Sequence, residues 1–146
     1  MLVEKLKNDM VQSMKGQDKE RLTVLRMAKG AMDKEHIDKK KEINDELLID
    51  VVSREVKQRK EAIEEFKKGN RDDLVEQNER EIAILKEYLP EELTEEEIEK
   101  ELDRIFLEIK PESIKDMGKV MKEASTLKGR VDMSVLSSKI KDRLSN

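Results

Sequence analysis

The chain has 146 residues, 45% of them charged and 36% apolar, with a net charge of −4. It contains no cysteine, which excludes disulfides and thiol chemistry, and no stretch approaches the uninterrupted apolar length of a membrane helix or signal sequence. A cytosolic protein is the default expectation. So charged a chain folds only if its apolar residues are strictly patterned, and with Phe66, Tyr88 and Phe106 as the only aromatic residues the core must be aliphatic and methionine-rich.

The pattern is helical throughout, and an all-α fold follows. Leu2, Leu6, Met10 and Met14 recur at helical spacing, with Gly16 closing the first helix. Asp18 is the N-cap of the second, whose stripe is Leu22, Leu25, Ala28 and Met32. Residues 36–43 read as a charged, mobile connection. A third helix starts near Asn44 or Asp45 and runs to about Lys68, with Leu48, Val52, Val56, Ile63 and Phe66 on its seam; Gly69 caps it. Asp72 or Asp73 starts a fourth, carrying Leu74, Ile82, Leu85 and Leu89 to Pro90. That proline cannot continue a backbone ladder, and Thr94 with Glu97 forms a capping box, so the boundary between a four-helix module (1–90) and a three-helix module (94–146) falls here. Ile98, Leu102, Ile105 and Ile109 stripe the fifth helix. Ser113 caps the sixth, with Ile114, Met117, Met121 and Ala124. A turn at Lys128-Gly129-Arg130 precedes a seventh, capped by Asp132 and carrying Leu136, Ile140 and Leu144.

Two constellations stand out. Glu55 and Arg59 fall inside the apolar stripe of the third helix, and Asn78 and Glu81 fall inside that of the fourth. Buried charges are tolerated only when paired and hydrogen-bonded, so these four residues predict a structural polar seam between the helices. A catalytic carboxylate at Glu55 or Glu81 has no accompanying nucleophile or metal-ligand cluster. His36, the single histidine, stands alone in a lysine-rich segment and reads as solvated. No phosphate-binding glycine loop or catalytic signature occurs, so no catalytic residue, metal or cofactor is assigned.

Charge is also unevenly distributed. Residues 93–112 hold eight acids against three bases, and residues 113–146 hold four acids against eight bases. Lys115, Lys119 and Lys122 share one helical face opposite the apolar stripe, Lys128 and Arg130 bracket Gly129, and Lys139 and Arg143 are four apart on the last helix. Such a ladder is either a solvated face or a surface for a phosphate backbone, where affinity comes from released counterions. Without aromatic residues nearby, contacts to the backbone and shape of a folded RNA fit better than base stacking.

Three segments carry a resemblance: Met10 to Arg26 (MVQSMKGQDKERLTVLR); Glu55 to Phe66 (EVKQRKEAIEEF) with Arg71 to Leu74 and Tyr88-Leu89-Pro90; and Met117 to Glu123 (MGKVMKE) with Lys128 to Asp132 (KGRVD). In order and spacing these resemble the YqeY family, which shares a domain with the tail of the GatB subunit of tRNA-dependent amidotransferase. The resemblance implies association with tRNA, and docking on an amidotransferase or tRNA synthetase subunit through the acidic helix is the alternative. It also implies that Gly118, Lys119, Gly129 and Arg130 correspond to the tail's GK and GR marks, with Lys119 and Arg130 facing RNA and Gly118 admitting a close helix. The sequence departs from the family's usual pattern at Ala124-Ser125-Thr126 and at Met133. The ligase activity with glutamine as amido-N-donor lies in other parts of GatB and is not expected of this chain alone.

Overall fold

In a computed structural model that describes residues 1–145, the described residues form seven α-helices and no strand, so the protein is all-α. Contacts divide the chain into two compact units, Met1–Leu89 and Pro90–Asn146, each with its own core.

The first unit holds α1 (Leu2–Lys15), α2 (Lys19–Lys39), α3 (Asp45–Lys68) and α4 (Asp72–Lys86). Its core is built mainly from leucine, valine and isoleucine, joined by Ala28 and Tyr88, with Met32 the one fully enclosed methionine. The remaining methionines mostly lie at core margins or on the surface, so "methionine-rich" describes the edges of the cores rather than their centres. Leu6 is buried as its spacing requires, but Met14 is exposed and Ser13 takes the inward position. Four-residue steps advance by about 40° beyond a full turn on a 3.6-residue helix, so a stripe built only from such steps drifts off the core.

Helix ends are set by local chemistry. Asp18 accepts from the Arg21 N–H and Asn44 from the Leu47 N–H, the N-caps their positions demand. The start of α1 is capped from a distance: the Leu2 and Val3 N–H groups both donate to Asp45 Oδ1, at 3.1 and 3.2 Å. One carboxylate thus satisfies two orphan donors of one helix from the first turn of another. Gly16 and Gly69 end their helices with ordinary negative φ, and the left-handed residues are the following Gln17 and Asn70, both at φ 57.

The expected connection at 36–43 is shorter than its charge suggests. α2 continues to Lys39 and ends at Lys40 in the left-handed region (φ 54). The added turn is held by Glu35 and by His36, whose Nδ1 donates to the Lys41 carbonyl at 2.6 Å; His36 is a clasp on this turn rather than a merely solvated ring.

The second unit holds α5 (Glu95–Ile109), a 3₁₀ turn (Ile114–Asp116) leading into α6 (Met117–Ala124), a further 3₁₀ turn (Ser125–Leu127) and α7 (Met133–Ser145). The Thr94–Glu97 capping box closes reciprocally, and Ser113 and Asp116 form another. Ile98, Leu102, Ile105, Val120, Ala124, Leu127, Leu136 and Ile140 fill the core. Ile114 lies in the 3₁₀ turn rather than on α6 and is exposed, while Val120 takes the buried place. Gly118 is also exposed, with open space around the position of a Cβ, so it admits no close helix here.

Candidate nucleic-acid interface

The polar seam of the first unit is built around Arg59, which is only 6% exposed. Its Nε donates to Glu81 Oε1 of α4 at 3.0 Å, and its Nη1 donates to Glu55 Oε2 at 2.7 Å and to the Glu55 carbonyl at 3.1 Å. Gln77 Nε2 holds the other oxygen of Glu81 at 3.0 Å. Asn78 stays out of this network: its side chain donates to the Leu74 carbonyl of its own helix at 2.8 Å. A short amide satisfied by i−4 back-bonding has no need to cross to α3. The seam therefore comprises Arg59, Glu55, Glu81 and Gln77, and it bridges α3 and α4 without offering a nucleophile.

Two further polar clusters escaped the sequence reading. The Tyr88 hydroxyl, on a fully buried ring, donates to Asp9 Oδ2, while Lys5 stacks over the ring with Nζ 4.2 Å from its centroid. Arg21 joins this group, with Nη1 2.7 Å from Glu87 and Nη2 3.9 Å from Asp9. Burial and the hydrogen bond to a carboxylate push the Tyr88 phenol well above its ordinary pKa. Burial opposes the charge on Asp9, but bonds from Tyr88 and Lys5 and the nearby Arg21 outweigh it and hold that carboxyl below its usual value.

Glu35 gathers three cations: Arg54 at 2.6 Å, Lys41 at 3.2 Å and Lys39 at 3.3 Å. The Arg54 hydrogen bond above all lowers its pKa to about 2, against the opposing effect of its burial. An open cleft of about 400 Å³ between α2 and α3 is lined by Ala31, Lys34, Glu35, Arg54, Glu55 and Gln58 among others. Glu35 continues the stripe of Leu25, Ala28 and Met32, so the test that singles out Arg59 would have found it. No such signal exists for Asp9 with Tyr88, which are far apart in sequence.

In the second unit the structure separates the cations that the sequence groups together. Lys139 Nζ is bound to Glu95 at 2.9 Å and Glu99 at 3.3 Å. Arg143 reaches Glu99 at 2.6 Å and Asp103 at 2.9 Å, and its guanidinium lies over the Phe106 ring. Hydrogen bonds from Arg143 and Lys139 hold the Glu99 carboxyl below its ordinary pKa. Both cations thus face the acidic helix α5 and not solvent as a free ladder. Opposite charges on helices far apart in sequence pair when packing brings them within reach, which a one-dimensional count cannot see.

Arg130 is half-buried, and its Nε donates to the Glu91 carbonyl at 3.2 Å while its own carbonyl accepts from Leu93. It fastens the segment leading into α5. Gly129 adopts φ 87, a conformation that explains glycine there without invoking RNA. Lys128 is exposed and has a partner of its own. What remains is Lys115, Lys119 and Lys122. All three are exposed, and among the described residues the single ion pair they make is the long 4.0 Å approach of Lys119 to Asp116, with the lysine side chain 76% exposed. The Asp116 carboxylate is itself occupied by the Glu112 and Ser113 N–H groups, which lower its pKa. The continuous patch expected across the last two helices is therefore reduced to the cations of the 3₁₀ turn and α6.

Among the described residues no cluster of three or more histidines and carboxylates is placed to hold a metal ion, and no helix is long and apolar enough to cross a membrane.

Comparison with known proteins gives two findings. A protein of Lachancea thermotolerans named altered inheritance of mitochondria protein 41, mitochondrial, is 38% identical over 111 residues, covering 74% of this chain and 59% of that protein. The protein of the same name from Kluyveromyces lactis is 38% identical over 84 residues, covering 57% and 45%, so the chain spans about half the length of these two relatives. One from Pyrenophora tritici-repentis, again of that name, is 30% identical over 146 residues, covering 97% and 80%. These names overturn the expectation of a cytosolic protein, which rested on the lack of an apolar segment; that feature bears on membrane insertion and carries no address. The family described as Yqey-like protein matches residues 3–144, nearly the whole sequence, and so the chain belongs to the YqeY family.

Proposed function

We propose that the second unit is a non-catalytic module that docks on the phosphate backbone of a folded RNA, tRNA in the first instance, through Lys115, Lys119 and Lys122. In this reading the chain holds the RNA for a partner enzyme of the amidotransferase or tRNA synthetase class and performs no chemistry of its own. The observation that carries it is the contrast within one small unit: three cations at helical spacing stay solvated while Lys139 and Arg143 are neutralised by α5. Solvated, closely spaced ammonium groups suit phosphates because each contact releases a condensed counterion. The alternative, docking of the acidic α5 on a basic protein, has less support, because Glu95, Glu99 and Asp103 already have internal cations.

The test is a filter-binding titration of the full chain against total tRNA over a salt series. Three phosphate contacts give a log–log slope of roughly −2 to −3. A flat response, or equal binding by a Lys115→Ala, Lys119→Ala, Lys122→Ala protein, would overturn the proposal.

A further inference from the structure

Arg59 makes unequal bonds at its three nitrogens. Nε and Nη1 each donate to a carboxylate, Glu81 and Glu55, whereas Nη2 donates to the thioether of Met27 at 3.8 Å. A thioether is a weak acceptor, so one end of a nearly buried cation is left with the poorest partner in the seam. Met27 is at the same time 50% exposed, so solvent reaches the side chain that closes this network. Met32, five residues further along α2 and on its apolar stripe, is 1% exposed, so within α2 the solvent-accessible thioether is that of Met27.

We propose that Met27 is an oxidation site whose sulfoxide completes the Arg59 network and tightens the first unit. With hydrogen peroxide as the oxidant, a lone pair of Sδ attacks one peroxide oxygen; the S–O bond forms and the O–O bond breaks. The sulfur is oxidised by two electrons, and after proton transfer the other oxygen leaves as water. The product carries a strongly polar S–O group on a flexible side chain, and rotation about the terminal torsions turns its oxygen toward Nη2. A charge-assisted N–H···O bond then replaces the N–H···S contact. Oxidation of a buried methionine disrupts a core, so a gain in stability here is the distinguishing consequence. Methionine sulfoxide reductase, drawing electrons from a thiol reductant, reverses the change.

The experiment treats the full chain and a Met27→Leu chain with hydrogen peroxide under native conditions. Oxidation at each methionine is followed by peptide mass spectrometry. Unfolding of the first unit is followed by the fluorescence of Tyr88, the only tyrosine in a chain without tryptophan. Met27 should convert with Met14, which is 55% exposed, while Met32 stays reduced. Comparing each chain before and after treatment removes the contribution of the other methionines and any effect of the leucine itself. The change in Tm on oxidation should be more positive in the wild-type chain by about 4 °C, and the reductase should erase that difference. Met27 remaining reduced after Met14 has converted would overturn the proposal. A change in Tm equal to, or more negative than, that of Met27→Leu would do the same.

Discussion

Arg143, on the last helix, places Nη2 2.6 Å from Glu99 Oε2 on α5, so a cation that the sequence assigns to a nucleic-acid surface is spent holding two helices together. Arg143→Ala should lower the stability of the second unit by about 1 kcal/mol, through loss of the ion pairs and of the contact with Phe106. RNA affinity should change little. Chemical denaturation followed by circular dichroism, together with the tRNA titration, checks both halves.

Lys119→Glu with Lys122→Glu should do the reverse. Both side chains project into solvent, so Tm should hold within about 2 °C, since exposed substitutions away from packed features cost little. tRNA affinity should fall at least tenfold at low salt, because two counterion-releasing contacts become repulsive. A large drop in Tm would assign these lysines to the fold instead.

Arg59→Ala removes the sole cation from a nearly buried seam and leaves Glu55 and Glu81 facing each other without it. A loss of about 3–5 kcal/mol in the first unit is expected, read by Tyr88 fluorescence in a urea titration. In a double-mutant cycle, Arg59→Ala and Glu81→Ala should be clearly non-additive. Asn78→Ala should cost far less, because its amide bonds only to Leu74 of the same helix.

Two pH dependences follow at opposite ends of the scale. The Glu35 carboxyl has a folded pKa of about 2, below its ordinary 4.5, with Arg54 the main cause. Its contribution is fully present above the unfolded value and is lost as pH falls from about 4.5 toward 2. Glu35→Gln should flatten the stability profile in that window, and amide exchange at residues 36–41 should report it. Tyr88 has a raised pKa, so its contribution is present below about 10 and is lost as pH climbs beyond. Because it is the only tyrosine, phenolate absorbance titrates it directly; a midpoint at the ordinary value would contradict its burial against Asp9.

Tyr88→Phe keeps the ring in the core and deletes only the hydroxyl. Asp9 retains Lys5 at 3.0 Å and the more distant Arg21, so the cost should be about 1–2 kcal/mol and the fold should persist. Urea unfolding followed by circular dichroism measures it, since the fluorophore is gone.

The sequence by itself determined the all-α class, the caps at Asp18, Asn44, Thr94 and Ser113, and most of the residues that each helix buries. Those features depend on neighbours within a turn or two, where spacing fixes both the facing side and the available donors. It also exposed Arg59 with Glu55, because a charge inside an apolar stripe violates a local pattern. Only the tertiary structure decided which polar groups find which partners. Asp45 caps a helix that starts 43 residues earlier, Tyr88 reaches Asp9, and Lys139 and Arg143 turn to the acids of α5 rather than to solvent. Pairing of that kind depends on the distance between helices after packing, and the periodicity of each helix contains no term for its neighbour.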